Sequence, residues 1–143
     1  MSDNAAGGDG NGVRKETLDE VTALVRETLA LADDEAVGAE QLVFYDLNFT
    51  SMDMLDLLFR LEEHFRIQIP EGTIYHLARG DLAEEEFARD AVLTEAGRER
   101  LMRLLYDTPP QIFPERIHAT TLPRYCTVGA FARLVEHKLA AKP

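Results

Sequence analysis

The stretch that most constrains this chain is residues 43–70, VFYDLNFTSMDMLDLLFRLEEHFRIQIP. Met54, Leu58, Leu61 and Phe65 recur at i, i+4, i+7 and i+11, with Leu57 beside them. A helix through these positions carries one apolar face that must be buried. Asp53, Asp56, Arg60 and Glu63 fall on the opposite face, Glu62 flanks it, and Met52, Leu55 and Phe59 lie at the border. Either Thr50 or Ser51 suits the N-cap. Asp53 and Asp56, in the first turns, complement the positive end of the helix dipole. Ile67, Ile69 and Pro70 form a short apolar exit. Ser51 thereby stands where a loop meets a first helical turn.

The apolar face needs partners, and the chain offers two further amphipathic helices. The first is expected over residues 15–32, with Leu18, Val21, Leu24 or Val25, and Thr28 or Leu29 on one side. Thr17 followed three residues later by Glu20 fits a capping box. The last starts after Thr127 as cap, with Val128, Phe131, Leu134, Val135 and Leu139 at helical spacing. Between the first two helices, residues 33–50 form a long connection in which Val37, Leu42, Val43, Phe44 and Leu47 are expected to tuck inward. A connection of that length in a compact domain is usually functional. Asp46, Asn48 and Thr50 alternate as in a calcium loop, but the position needing a bidentate glutamate is Leu57 and the mid-loop glycine is absent, so no calcium is expected.

Residues 71–125 read as an elaboration. A short helix over 73–79 is stopped by Gly80, a second is expected over 83–91, and Thr94 caps a third over 95–106. Arg98, Arg100 and Arg103 form the chain's basic cluster, expected to pair with Glu84, Glu85, Glu86, Glu95 or Glu99. Pro109, Pro110, Pro114 and Pro123 make residues 107–125 irregular. No strand-period segment stands out. Residues 1–13 offer little to bury and are expected as a disordered tail, leaving 14–143 as a single domain.

Composition narrows the partners. Against 26 acidic residues stand 15 lysines and arginines, a formal net charge of −11. Nucleic acid and anionic membrane surfaces are poor partners for such a chain, and basic patches on proteins are good ones. The single cysteine, Cys126, excludes an intrachain disulfide. Without an apolar run of bilayer length or an apolar leader, no membrane insertion is expected and the cytoplasm is the expected compartment. His64, His76, His118 and His137 show no metal-ligand spacing, alone or with Cys126. Ser51 and His64 lie too far apart on one helix to form a dyad. Cys126 precedes a helix, where a thiol is either inert packing or lowered in pKa. Without a Gly-rich phosphate loop, an autonomous enzyme is not expected.

The string Asp46-Leu47-Asn48-Phe49-Thr50-Ser51-Met52-Asp53, an apolar helix, then Leu61-Glu62-Glu63-His64-Phe65-Arg66-Ile67-Gln68-Ile69-Pro70 resembles the core of acyl carrier proteins. That family's pattern is roughly D-L-G-x-D-S-L-D, a helix, and L-E-E-x-F-x-I-x-I-P. Asn48 stands where the family has glycine, Thr50 where it has aspartate, and Met52 where it has leucine. Asparagine tolerates positive φ, so the turn survives. The resemblance covers about residues 15–70 and 126–139. It implies an all-α, acyl-carrier-protein-like bundle with an inserted helical and irregular segment. It implies covalent 4′-phosphopantetheine on Ser51, placed there by a phosphopantetheinyl transferase. The arm would hold acyl groups as thioesters for loading, condensing or acyl-transferring enzymes of fatty acid, lipid or polyketide-type biosynthesis. Met52, Asp53, Asp56, Phe59, Glu62 and Glu63 are the expected docking surface of a monomeric, non-catalytic carrier. Cargo would enter a gap lined by residues such as Leu58, Leu61 and Phe65. Two rival readings are an unmodified carrier-like interaction module, in which Ser51 only caps a helix, and a small enzyme using Cys126 or the arginines.

Overall fold

The structure, a computed structural model, describes residues 13–32 and 34–142. Among them, helices run over Lys15–Leu29 (α1), Ser51–Phe65 (α2), Thr73–Arg79 (α3), Glu84–Phe87 (α4), Glu95–Leu104 (α5) and Val128–Ala140 (α6). A two-stranded antiparallel hairpin, β1 (Ala88–Arg89) and β2 (Val92–Leu93), separates α4 from α5. The all-α architecture expected from the sequence is borne out.

α1 packs against both α2 and α6. Val21 and Val25 of α1, Leu57 and Leu61 of α2, and Val128, Phe131 and Val135 of α6 are sealed from solvent. Full burial of one such side chain is worth about 1.5–3 kcal/mol relative to exposure, so this three-helix seam is a large source of stability. α1 ends earlier than the sequence suggests: Ala30 turns left-handed at φ 53° and Arg26 closes the end by donating to the Ala32 and Glu35 carbonyls. The expected Thr17–Glu20 box does not form. Thr17 is buried and donates its hydroxyl to Glu136 on α6 at 2.7 Å, tying the two helices together instead. Residues 1–12 of the expected tail lie outside the described residues, whereas Val13 joins the core at 2% exposure.

The connection between α1 and α2 is pinned to the start of α6. The Val43 amide donates to Cys126 at 3.2 Å, and the Val128 and Gly129 amides donate to Gln41 and Ala39 at 2.9 and 2.8 Å. Leu42 and Val43 are buried, and Phe44 and Leu47 pack against the core. Asn48 takes φ 61°, the left-handed turn anticipated at that position.

Residues 71–125 share the same core, to which they contribute Phe87, Leu93, Leu101, Phe113, Ile117 and Leu122. α3 packs on α5. Thr94 caps α5 by accepting from the Gly97 amide at 3.0 Å. The helix expected over 83–91 is a single turn followed by the hairpin, because Asp90 and Ala91 both adopt positive φ, 53° and 67°. The hairpin then recruits residues 117–119: the Leu93 amide donates to Ile117 at 2.9 Å and the Ala119 amide to Ala91 at 2.8 Å. The arginine cluster pairs differently from expectation. Arg98 donates to the Phe113 and Pro114 carbonyls, Arg100 to the Arg79 carbonyl and to Asp81, and none reaches the glutamates named above. Arg98 stitches the irregular segment to α5, where carbonyls of proline-broken chain need donors, and Arg100 ties α5 to the end of α3.

Candidate functional site

The site is built at the N-terminus of α2. Thr50, not Ser51, is the cap. Its hydroxyl accepts from the Asp53 amide at 3.1 Å while the Asp53 carboxylate accepts from the Thr50 amide at 2.9 Å, a complete capping box. Ser51 is therefore released from capping. It is exposed, and its hydroxyl makes no hydrogen bond to the described residues. The Met54 amide is satisfied by the Thr50 carbonyl, which leaves the Ser51 and Met52 amides without a partner among the described residues. Two open N–H groups and the positive end of a helix dipole therefore lie next to one free hydroxyl.

A cleft of about 580 Å³ opens beside it. Ser51, Met54, Leu55 and Leu58 of α2 form one wall; residues 69–75 and 119–124 form the others. This corrects the sequence expectation. Leu58 lines the space, but Leu61 is wholly buried in the α1–α2–α6 seam, and Phe65 sits against the His64 ring at 4.8 Å, away from the cleft lining. The rest of the lining comes from residues 69–75 and from residues 119–124, which follow the segment that pairs with the hairpin.

The expected docking residues share α2, with unequal availability. Met52 is 72% exposed and Phe59 58%, and Leu55 adds a third apolar side chain at 63%. Glu63 is exposed, whereas Asp53 is committed to the capping box, Asp56 pairs with Arg60 at 3.2 Å, and Glu62 accepts from the Ile69 amide at 2.7 Å. Arg60 also reaches Glu27 of α1 at 3.1 Å. Leu55 was legible in the sequence as a border residue; its position one turn after Ser51 is the signal that groups it with Met52 and Phe59.

The residues named for other chemistry are placed as follows. Cys126 is buried, and burial pushes its thiol up to about 12, so no thiolate forms near neutrality. Among the described residues no three His, Cys, Asp or Glu side chains come together to hold a metal ion. His64 contacts Glu20 on α1 at 2.7 Å rather than any nucleophile. Among the described residues no helix is long and apolar enough to cross a membrane.

The geometry amounts to a helical bundle that offers a free hydroxyl at a helix N-terminus, beside a largely apolar cleft. Comparison with known sequences gives the family. The phosphopantetheine attachment site family matches residues 19–79. An acyl carrier protein of Campylobacter jejuni subsp. doylei is 40% identical over 56 residues, 39% of this chain and 71% of that protein. A second, from Campylobacter jejuni, is 42% identical over the same length. A chloroplastic acyl carrier protein of Brassica napus is 36% identical over 72 residues, 50% of this chain and 53% of that protein. The chain thus spans about half the length of the Brassica relative. No solved structure matches. The chain belongs to the acyl carrier protein family, whose members are carriers with covalent 4′-phosphopantetheine. The family match runs through Arg79 and so includes α3.

Proposed function

We propose that this chain is a non-catalytic acyl carrier whose attachment point is Ser51. The observation that carries the reading is the division of labour at the start of α2: Thr50 caps the helix, and Ser51 keeps an exposed hydroxyl without a hydrogen-bond partner. The residues present fit the group. A phosphodiester on the Ser51 Oγ would meet the open Ser51 and Met52 amides and the helix dipole, which favour an anion. When bound, 4′-phosphopantetheine supplies a terminal thiol able to hold an acyl group as a thioester.

The protein's own residues do the rest. Met52, Leu55 and Phe59 offer an apolar strip for partner enzymes, and Glu63, with the outward edges of Asp53, Asp56 and Glu62, supplies negative charge around it. Such charge speeds and orients encounter with a basic partner more than it adds affinity. The partners proposed are a phosphopantetheinyl transferase and enzymes that load, condense or transfer acyl groups in fatty acid, lipid or polyketide-type biosynthesis. The chain is read as one domain over residues 14–143, acting as a monomer in the cytoplasm.

The test is incubation with coenzyme A and a promiscuous transferase, followed by intact mass. Wild type gains one phosphopantetheine; Phe59→Ala and Glu63→Ala gain it more slowly, and Ser51→Ala not at all. Absence of an adduct with several transferases points to the unmodified interaction module.

A further inference from the structure

One cation in the wall of the cleft has no acceptor. Arg124, at the end of the 3₁₀ turn Leu122–Tyr125, lines the same cleft as Ser51. Its Nε is buried and unpartnered, and none of its side-chain nitrogens donates to a described residue. Its guanidinium lies over the Phe44 ring, 5.2 Å from the centroid. Arg14, Arg60, Arg100 and Arg133 pair with carboxylates, and Arg26, Arg89 and Arg98 with carbonyls; Arg66, Arg103 and Arg116 also lack an acceptor among the described residues, but they are exposed, so water can serve them, whereas the Arg124 Nε is shut away from it. Arg79 also has a buried Nε without a partner, but its Nη1 donates to the Leu82 carbonyl at 3.3 Å. A desolvated donor of a charged group is costly to leave unmade. The turn that carries Arg124 is anchored behind it. The Arg124 amide donates to Thr121 at 3.1 Å, and Thr108 donates its hydroxyl to the Tyr125 carbonyl at 2.7 Å.

We propose that Arg124 makes the cleft beside Ser51 an oxyanion-binding chamber, so that its ligand is an amphiphile with an apolar body and one phosphate or carboxylate. The apolar body meets Met54, Leu55, Leu58 and Ile74 in the same lining, and the fork of guanidinium donors suits a planar or tetrahedral oxyanion. The tethered form of this proposal rests on the carrier reading, and there the oxyanion has two sources: the phosphodiester of the arm on Ser51, or a carboxylate at the far end of a dicarboxylic cargo.

The test begins on the unloaded chain, where modification of Ser51 plays no part. Octyl phosphate, octanoate and octanol are titrated into wild type, Arg124→Gln and Arg124→Lys, and followed by amide chemical shifts of the lining residues. Loss of a charge-assisted hydrogen bond weakens the two anions roughly tenfold or more in Arg124→Gln, with octanol unchanged and Arg124→Lys between. Equal binding of all three probes by wild type and both variants overturns the proposal. On chains shown by intact mass to be loaded, a ³¹P resonance displaced by Arg124→Gln assigns the anion to the arm. An unmoved resonance, with loss of the extra thermal stability that a glutaryl cargo gives over a pentanoyl cargo, assigns it to the cargo. Failure of loading, visible in the mass alone, removes the carrier reading and leaves the octyl series to decide on Arg124.

Discussion

Substitution of Thr50 and of Ser51, one at a time, separates scaffold from function at adjacent positions. Thr50→Ala removes the acceptor 3.1 Å from the Asp53 amide and breaks one half of the capping box; the other half, Thr50 amide to Asp53 carboxylate, uses the backbone and can persist. Replacement of a threonine cap by alanine costs about 1 kcal/mol. For a domain of this size that lowers the melting temperature by roughly 4 °C. Ser51→Ala deletes a hydroxyl with no partner at an exposed first-turn position, and alanine is the better helix former by up to about 0.5 kcal/mol. Its melting temperature is therefore unchanged or slightly raised. Urea unfolding gives both values from the same midpoint analysis, with unchanged slopes showing that the folded state is conserved. In the loading reaction the order reverses: Thr50→Ala still accepts phosphopantetheine and Ser51→Ala does not. A loss of stability in Ser51→Ala as large as that in Thr50→Ala would refute the reasoning, since Ser51 would then be bonded to its own helix end.

Three other outcomes follow from the packing. Asp107 is half-buried and accepts from Thr127 at 2.6 Å and from Arg133 at 2.9 and 3.1 Å; burial opposes its ionisation, but the Arg133 and Thr127 hydrogen bonds outweigh it and hold its carboxyl below the usual range. A depressed folded-state pKa gives stability that is present above the unfolded value of about 4 and is lost as pH falls through the folded value, so the wild-type melting temperature drops on acidification below about pH 4 and Asp107→Asn, less stable at pH 7, shows a flatter acid limb. Gly97→Ala would place a Cβ 2.0 Å from the Phe87 carbonyl oxygen, which forces α4 and α5 apart and costs about 3 kcal/mol, measured by urea unfolding. Cys126, sealed in the core, resists thiol reagents in the native chain and reacts fully in denaturant, as a mass-detected alkylation time course would record.

What the sequence revealed, and what it hid, follows from how local each signal is. The stripe Met54–Leu57–Leu61, the caps Thr94 and Thr127, and the stop at Gly80 are decided within a turn or two of chain, and all appear in the fold. The hairpin at Ala88–Leu93 was hidden because its turn uses Asp90 and Ala91 at positive φ, without the Asn-Gly or Asp-Gly pair that marks such turns. Thr17 mimicked a capping residue, and only the approach of Glu136 from the far end of the chain turns it into an interhelical tie. The arginine cluster had nearby glutamates in sequence but carbonyls nearby in space. Ser51 itself was legible through its surroundings, yet the choice between Thr50 and Ser51 as cap needed the Asp53 geometry. The cleft was the least legible part, since residues 119–124 are brought beside Ser51 by contacts distant in sequence, among them the pairing of residues 117–119 with the hairpin and the Thr108–Tyr125 hydrogen bond.

The central claim is that the hydroxyl of Ser51 is a tether point. The most direct measurement is peptide mapping by tandem mass spectrometry after reaction with coenzyme A and a phosphopantetheinyl transferase. The account predicts one phosphopantetheine per chain, on the peptide containing Ser51 and on no other. An adduct localised to a different residue, or wild-type chains that stay unmodified while a known carrier in the same tube is loaded, would contradict it.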